Sequence, residues 1–320
     1  MSSQSSSSSL RSWAQLVRLP NVFTVLADVG AAFLLVAYGP QPIGRFVCII
    51  LSGVSLYWAG MILNDVFDID RDREERPTRP IPAGDISLGA AKNAGWSLLA
   101  IGILLAFVSG YLPSTTHPST WLPGAIALAL AIMIVAYDGP LKKTLLAPAA
   151  MGSCRVLSFL LGAAPCLPIP GSDTLFPQYL LGIAAGFGVY IMGITTMARK
   201  EAVGGRSPNL LTGYLVTMVG LALLAFAPSM AKGNFQWWIN PDKQFPLLIG
   251  LIACPTLLRG LRLQVEPTPT NIQNAIRAGI LSIIPLAASF AFLGAGKMWG
   301  LITFALVVPA IVLAMRLRVT

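Results

Sequence analysis

Residues 46–84 read FVCIILSGVSLYWAGMILNDVFDIDRDREERPTRPIPAG, an apolar run that turns abruptly into a charged one. The apolar part, Phe46–Leu63, has the length and hydrophobicity of a membrane-spanning helix. If that helix continues, Asn64, Asp68 and Asp72 follow at intervals of one turn and share one face. Hard oxygen ligands at the end of a membrane helix are the elements of a Mg²⁺ site, and Mg²⁺ commonly serves a phosphate group.

The segment after the acidic run is stiff and basic. Arg76-Pro77-Thr78-Arg79-Pro80-Ile81-Pro82-Ala83-Gly84 ends the helix at its prolines and places Arg76 and Arg79 near the acidic face. Guanidinium groups bind phosphate oxygens in a forked geometry. Carboxylates beside arginines therefore predict a diphosphate held by Mg²⁺. The alternative is a solvated loop of mixed charge, which the one-faced spacing of the acidic residues disfavours.

The composition of the whole chain indicates a membrane protein. Only 11% of the 320 residues are charged, against about 25% in a soluble domain, and 55% are hydrophobic. We expect an all-α polytopic bundle of nine to ten transmembrane helices around a central cavity that opens to the cytoplasmic side, because strand-like alternation is absent. The candidate spans are roughly Val22–Tyr38, Phe46–Leu63, Ala91–Leu112, Trp121–Tyr137, Leu145–Leu167, Tyr179–Ala198, Leu210–Phe226, Phe245–Leu258, Ala278–Leu293 and Met298–Met315.

The Phe245–Leu258 stretch is the shortest and least secure of these spans. Residues 1–20 are predicted to form a disordered or interfacial tail, and residues 21–320 a single transmembrane domain.

Basic residues are concentrated in alternate loops. If the N-terminus is cytoplasmic, the outer loops hold only Arg45, Lys232, Lys243 and Lys297. This positive-inside bias predicts that both termini and all the charged motifs face the cytoplasm. The net charge of +9 then reflects contact with anionic lipid, and no nucleic-acid partner is expected because no basic stripe with interleaved aromatics is present. A bacterial inner membrane is the default expectation.

Cysteine and histidine carry little functional signal. Four scattered cysteines without a C-x-x-C motif indicate neither a disulfide framework nor a zinc site. The single histidine, His117, lies in a short polar loop and is expected to be structural. The sequence does not indicate an oligomeric state.

The pattern Asn64-Asp65-x-x-Asp68-x-x-x-Asp72, with Arg79-Pro80-Ile81-Pro82-Ala83-Gly84 downstream, resembles the first aspartate-rich motif of the UbiA superfamily of intramembrane prenyltransferases. The number of spans and the place of the motif after the second span are similar too. Members of this family transfer an isoprenoid from its diphosphate to an aromatic or other acceptor. The resemblance implies that Asn64, Asp68 and Asp72 bind Mg²⁺ on the diphosphate, with Asp65 adjacent.

The loop after the fourth span, Tyr137-Asp138-Gly139-Pro140-Leu141-Lys142-Lys143, resembles the Tyr…Pro…Lys segment of the family at that place. Tyr137, Lys142 and Lys143 are therefore expected to contact the substrate. Both lysines could instead be positive-inside anchors at the membrane surface.

The loop after the sixth span departs from the family. Where the family has D-x-x-Y-A-x-x-D, this chain has Ile194-Thr195-Thr196-Met197-Ala198-Arg199-Lys200-Glu201. Aligned on Ala198, Glu201 takes the second acidic position and is predicted to bind metal, while Ile194 replaces the first carboxylate. Arg199 and Lys200 are expected to neutralise diphosphate charge instead. This loop is similar to that of a divergent branch, the EboC-type UbiA-like proteins.

Two charged residues fall inside predicted spans. A buried Arg155 is costly unless it faces a cavity or a partner, so we predict that it contacts the diphosphate or the acceptor. Asp28 faces the acceptor or pairs with Arg155. Asn21, at the inner end of the first span, is expected to contact the substrate.

These observations predict a Mg²⁺-dependent intramembrane transferase that moves a prenyl group from its diphosphate to an aromatic or other small acceptor. Asp68, Asp72, Lys142 and Arg155 are the expected catalytic residues. Ionisation of an allylic diphosphate needs placed positive charge and exclusion of water rather than a Ser-His-Asp triad, which suits a chain with one histidine. The alternative is a non-catalytic UbiA-like protein that binds or transports an isoprenoid or small metabolite within a biosynthetic or export assembly.

Overall fold

The computed structural model describes residues 2–169, 174–199, 207–232 and 235–317, with side chains from Ser9 onward. Within these ranges the chain is helical and contains no strand. The helices are α1 Ser2–Leu16, α2 Val22–Ala37, α3 Ile43–Phe67, α4 Ile69–Glu75, α5 Leu88–Tyr111, α6 Leu122–Ala136, α7 Ala147–Ala163, α8 Gln178–Ala198, α9 Pro208–Phe226, α10 Gln244–Val265, α11 Pro269–Leu281, α12 Ile283–Ala295, α13 Lys297–Ala305 and α14 Val307–Leu317.

Ten helical stretches in the described ranges are long and apolar enough to cross a membrane. The least secure predicted span is contained in α10, which has 22 residues. Two spans each consist of two helices, α11 with α12 and α13 with α14. The predicted all-α bundle of membrane helices is confirmed.

Prolines explain why the last two spans are interrupted. The ninth span breaks at Ser282, three residues before Pro285. The tenth span breaks at Leu306, three residues before Pro309. A proline inside a helix has no N–H for the preceding turn, and its ring crowds the carbonyl four residues back. The first break is braced by Tyr190, whose hydroxyl donates to the carbonyl oxygen of Gly279 at 2.9 Å.

Helix α2 occupies the centre of the bundle, where it packs against α3, α7 and α12. Small residues allow the closest approaches between helices. A β-carbon on Gly162 of α7 would lie 2.2 Å from the carbonyl oxygen of Val29 in α2. Likewise, a β-carbon on Gly193 of α8 would lie 2.6 Å from the carbonyl oxygen of Gly213 in α9. Membrane helices gain much of their association energy from such backbone contacts.

A buried arginine ties together the end of the bundle opposite the aspartate motif. Arg45 is 1% exposed and donates to the carbonyl oxygens of Leu112 at 2.8 Å, Pro118 at 3.0 Å and Pro165 at 2.7 Å. The sequence placed this residue among the loop cations, whereas the structure places it in the first turn of α3. Its charge is therefore satisfied by loop carbonyls instead of solvent.

The outer surface of the bundle is apolar, as expected where lipid replaces water. Exposed side chains include Leu104 on α5, Ile132 on α6, Leu251 on α10 and Leu301 on α13. Within residues 1–20, which we predicted to be a disordered or interfacial tail, α1 is helical and its last residue, Leu16, is buried. The division into this tail and a single domain over residues 21–320 stays a prediction.

Candidate active site

The aspartate motif lies where α3 gives way to α4. Helix α3 ends at Phe67, and Asp68 leaves helical geometry with φ −90° and ψ 4° before α4 begins. The backbone nevertheless bridges this break, because the Asp68 N–H donates to the Asn64 carbonyl at 3.1 Å and the Asp72 N–H to the Asp68 carbonyl at 2.8 Å. The condition under which these residues were expected to share one helical face, that the helix continues, is therefore met except at Asp68.

The basic strip folds back onto this motif through Arg79. The Arg79 Nη1 donates to Asp72 Oδ2 at 2.7 Å and to Asp65 Oδ1 at 3.1 Å. Both carboxylates are buried. Arg18, just before the first span, adds a weaker contact to Asp65 at 3.6 Å. Arg76 is exposed at the end of α4, so of the two predicted arginines only Arg79 is brought to the carboxylates.

The loop after the fourth span supplies the other wall of the site. Residues Tyr137–Leu141 form a π turn that contains Pro140, and single π turns inside helices often mark functional sites. Asp138 on this turn accepts a hydrogen bond from the Asn64 amide nitrogen at 2.7 Å. Lys142 donates to Asp68. Lys143 is exposed, so the structure separates the two predicted lysines.

A cavity of about 140 Å³ begins at this wall and runs into the bundle between α2, α3, α6, α7 and α8. Tyr57, Tyr137, Asp138 and Arg155 contribute its polar groups. The rest of the lining is mainly apolar and includes Val25, Leu56, Met61, Leu130, Ile134, Met151 and Ile191. The carboxylates and cations therefore meet the mouth of a mostly hydrophobic chamber.

The two intramembrane charges pair with each other. The Arg155 Nη1 donates to Asp28 Oδ2 at 2.9 Å, and the Asp28 side chain is fully buried. Arg155 also lines the cavity, so this guanidinium joins the buried carboxylate to the chamber. Asn21 is half-buried near the start of the first span, beside Tyr57.

Only the first residue of the loop after the sixth span, Arg199, lies within the described ranges before residue 207. Ile194 and Met197 are each 3% exposed and pack into the bundle. Arg199 is exposed and donates to the backbone carbonyl of Thr144, which brings this loop next to that of Lys142. Lys200 and Glu201 lie outside the described residues, and their predicted roles stay predictions.

The donor set fits Mg²⁺, although its carboxylates are held by cations. In the described ranges, no three His, Cys, Asp or Glu side chains are close enough to form a metal site by themselves. Arg79 and Lys142 contact the motif carboxylates directly. Mg²⁺ prefers hard oxygen ligands and usually keeps several waters and phosphate oxygens, so one or two carboxylates with Asn64 suffice.

Two residues of this site were not assigned a role from the sequence. Arg18 was counted only as a loop cation, and its approach to Asp65 depends on a left-handed backbone turn at φ 46°. Asp138 was read only as part of its motif. Its position between Tyr137 and Lys142, two residues expected to contact the substrate, was the sequence feature that could have assigned it to the site.

Comparisons with known proteins agree with this geometry. A family model described as the UbiA prenyltransferase family matches residues 24–276. The digeranylgeranylglyceryl phosphate synthase of Methanothermobacter thermautotrophicus is 28% identical over 267 residues, covering 77% of this chain and 86% of the relative. That of Saccharolobus solfataricus is 32% identical over 136 residues, covering 42% of this chain and 45% of the relative.

Solved structures show the same fold. A digeranylgeranylglyceryl phosphate synthase matches with a TM-score of 0.60 and 20% identity, over 90% of this chain and 99% of the other. A UbiA homolog from Archaeoglobus fulgidus bound to GPP and Mg²⁺ matches with a TM-score of 0.57 and 16% identity, over 92% and 99%. The placement near EboC-type proteins stays a prediction. With ten candidate spans and a family model over most of its length, this integral multi-pass membrane protein belongs to the UbiA prenyltransferase family.

Proposed function

We propose that this protein transfers a prenyl group from a prenyl diphosphate to a small acceptor in a Mg²⁺-dependent reaction. The observation that carries the proposal is the set of carboxylates and cations at the mouth of an apolar cavity. Charged groups suit a diphosphate and its metal, and the chamber behind them suits an isoprenoid chain. The family to which the chain belongs is consistent with this chemistry.

The cations of the site would bind the diphosphate. Arg79 and Lys142 now contact Asp65, Asp68 and Asp72, and their donors can turn to phosphate oxygens that reach the cavity mouth. Asn64, Asp68 and Asp72 would hold Mg²⁺. When bound, this ion supplies positive charge that stabilises the departing diphosphate. The UbiA homolog solved with GPP and Mg²⁺ provides a precedent in the fold.

The cavity would hold the prenyl chain and exclude water. Its hydrocarbon side chains, including Leu56, Leu130 and Ile134, offer no nucleophile to an allylic cation. As the allylic C–O bond breaks, its electron pair leaves with the diphosphate. An electron pair of the acceptor then bonds to the same carbon, and the acceptor loses a proton. Arg155 and Tyr137, which line the chamber, are placed to contact the acceptor or the diphosphate.

The acceptor and the membrane orientation follow from separate arguments. Relatives named digeranylgeranylglyceryl phosphate synthase suggest an acceptor that carries a polar glyceryl phosphate group. The charged loops collect at one end of the bundle through contacts such as Lys142 to Asp68 and Arg199 to Thr144. By the positive-inside rule that end faces the cytoplasm. A bacterial cell membrane stays our expectation for its location.

Ligand binding followed by turnover tests the proposal. Purified wild type should bind geranyl diphosphate in Mg²⁺ and not in EDTA, and Asp68→Asn should lose this binding. Asp70→Asn is the matched control, because Asp70 is exposed and pairs with Arg73 away from the cavity. Diphosphate release on adding acceptors would then establish transfer. Metal-dependent binding without release from a broad acceptor panel would favour the non-catalytic alternative, and absence of binding would refute both.

A further inference from the structure

Helix α8 supplies no carboxylate to the cavity within the described residues. It presents Ile191 to the chamber. One turn later, Ile194 packs against α11, with its Cδ1 2.5 Å from where a β-carbon on Gly279 would lie. The position at which the family motif has its first acidic residue is therefore apolar and directed at a neighbouring helix. A carboxylate from another element could take the place that the family motif gives to this position.

Asp138 is the carboxylate that the fold brings to this place. It is 5% exposed and lines the cavity next to the aspartate motif. Its Oδ1 accepts the hydrogen bond from the Asn64 amide, and its Oδ2 has no partner among the described residues. Asp138 Oδ2 is not among the buried side-chain atoms that lack a partner, so this oxygen stays accessible and can receive a cation.

Charge balance singles out the same residue. Each motif carboxylate contacts a cation within 4 Å: Asp65 and Asp72 contact Arg79, and Asp68 contacts Lys142. The direct partner of Asp138 is a neutral amide. Among the described carboxylates that meet the cavity mouth, Asp138 therefore provides negative charge that no contacting side chain cancels. A divalent cation can cancel it.

The hydrogen bond also orients Asn64. A carboxylate can only accept, so the Asn64 amide must turn its nitrogen toward Asp138 and leave its carbonyl oxygen for another partner. The 2.7 Å bond between Asn64 Nδ2 and Asp138 Oδ1 thus fixes the position of Asn64 Oδ1 relative to Asp138 Oδ2. Asp68, on the next turn, completes a set of three oxygen-bearing side chains once Lys142 turns to the diphosphate.

We propose that Asp138 is a ligand of the divalent cation and takes over the role of the carboxylate that this chain lacks at Ile194. The inference deepens the proposed function and rests on it. It identifies a metal ligand on the fourth span, outside both aspartate-rich segments.

Mn²⁺ binding measured by electron paramagnetic resonance, with geranyl thiodiphosphate as an unreactive substrate analogue, tests this ligand without an activity assay. Asp138→Asn keeps the shape and an acceptor oxygen for Asn64 and removes the charge. We expect its Mn²⁺ affinity to fall about tenfold or more, as it does when groups that support a metal are lost. Asp138→Glu should recover part of the loss, and Asp70→Asn should bind as wild type does.

Each outcome has a defined meaning. If Asp138→Asn binds Mn²⁺ as wild type does while Asp68→Asn does not, the role of Asp138 is refuted and the proposed function stands. If wild type itself binds no Mn²⁺ with the analogue, the proposed function is refuted, and the role of Asp138 is refuted with it.

A measurement on the wild-type protein covers the case in which Asp138 variants do not fold. Anomalous diffraction from crystals soaked in Mn²⁺ and the analogue should show a metal peak about 2.0–2.3 Å from an oxygen of Asp138. A peak bound by the motif residues and distant from Asp138 would overturn the inference.

Discussion

Replacing Arg79 with methionine should expose how the site is stabilised without metal. A single nitrogen, Nη1, contacts Asp65 at 3.1 Å and Asp72 at 2.7 Å, and Asp72 is 3% exposed. Methionine keeps the apolar stem and removes the charge. Arg18 still reaches Asp65 at 3.6 Å, so the loss falls mainly on Asp72.

The size of the effect follows from burial. Removing one partner of a buried ion pair costs about 3–5 kcal/mol, because a buried charge is left uncompensated. The Arg79 side chain is 18% exposed, which places the expected loss at the lower end, about 3 kcal/mol. For a chain of 320 residues, whose unfolding entropy is about 2.1 cal/mol/K per residue, that lowers the Tm by about 4–5 °C.

Divalent metal should restore part of the stability that Arg79→Met loses. A ligand that binds only the folded state at a hundred times its Kd adds about 2.7 kcal/mol of stability. In Arg79→Met no guanidinium competes for Asp72, so Mg²⁺ should raise the Tm of the variant more than that of wild type.

Thermal unfolding in detergent, in EDTA and in Mg²⁺, measures both effects. The matched control is Arg73→Met, whose pair with Asp70 has side chains 60% and 91% exposed and should contribute less than about 1 kcal/mol. Equal Tm values for Arg79→Met and Arg73→Met in EDTA would refute the buried-pair reasoning. A Tm deficit that Mg²⁺ leaves unchanged would refute the idea that metal and Arg79 share these carboxylates.

Two further predictions concern the scaffold. Gly193→Ala should abolish folding or lower the Tm strongly, because the new β-carbon would lie 2.3 Å from the hydroxyl oxygen of Thr217 and 2.5 Å from the backbone nitrogen of Thr217. The control Gly250→Ala, whose β-carbon would have no atom within 4 Å, should be neutral or stabilise the protein by up to about 1 kcal/mol. Burial and the nearby Arg45 guanidinium lower the pKa of His117, so the unfolded chain takes up a proton at a higher pH than the folded protein does. Stability should therefore fall as the pH drops below about 6.5, and this slope should be smaller in His117→Gln, as Tm values against pH will show.

The sequence predicted the features that depend on local pattern. Hydropathy located all ten spans, including the short one that became α10, because lipid requires long apolar helices whatever their neighbours are. The acidic motif and its basic strip were recognisable because their spacing is a property of one segment. The pairing of Asp28 with Arg155 was among the alternatives, since two charges inside a bundle have few other partners.

Features that depend on irregular backbone geometry could not be predicted from the sequence. The break at Asp68 and the π turn at Tyr137–Leu141 decide which side chains face the site, and no periodic pattern encodes them. The same limit applies to Arg76 and Arg79, which are three residues apart in a proline-rich strip. Only the folded path of that strip distinguishes the exposed Arg76 from the partly buried Arg79.

The ligand-free site is stable because its own cations take the places that substrate and metal would otherwise fill. Arg79 and Lys142 neutralise carboxylates that would repel one another in a half-buried setting. Metal alone would have to displace these cations, and diphosphate alone would meet the carboxylates. If both bind as proposed, Arg79 and Lys142 would turn from the carboxylates to phosphate oxygens, which would free Asp68 and Asp72 to hold the metal. Binding of the two ligands would then be coupled, and linkage requires each to raise the affinity of the other by the same factor.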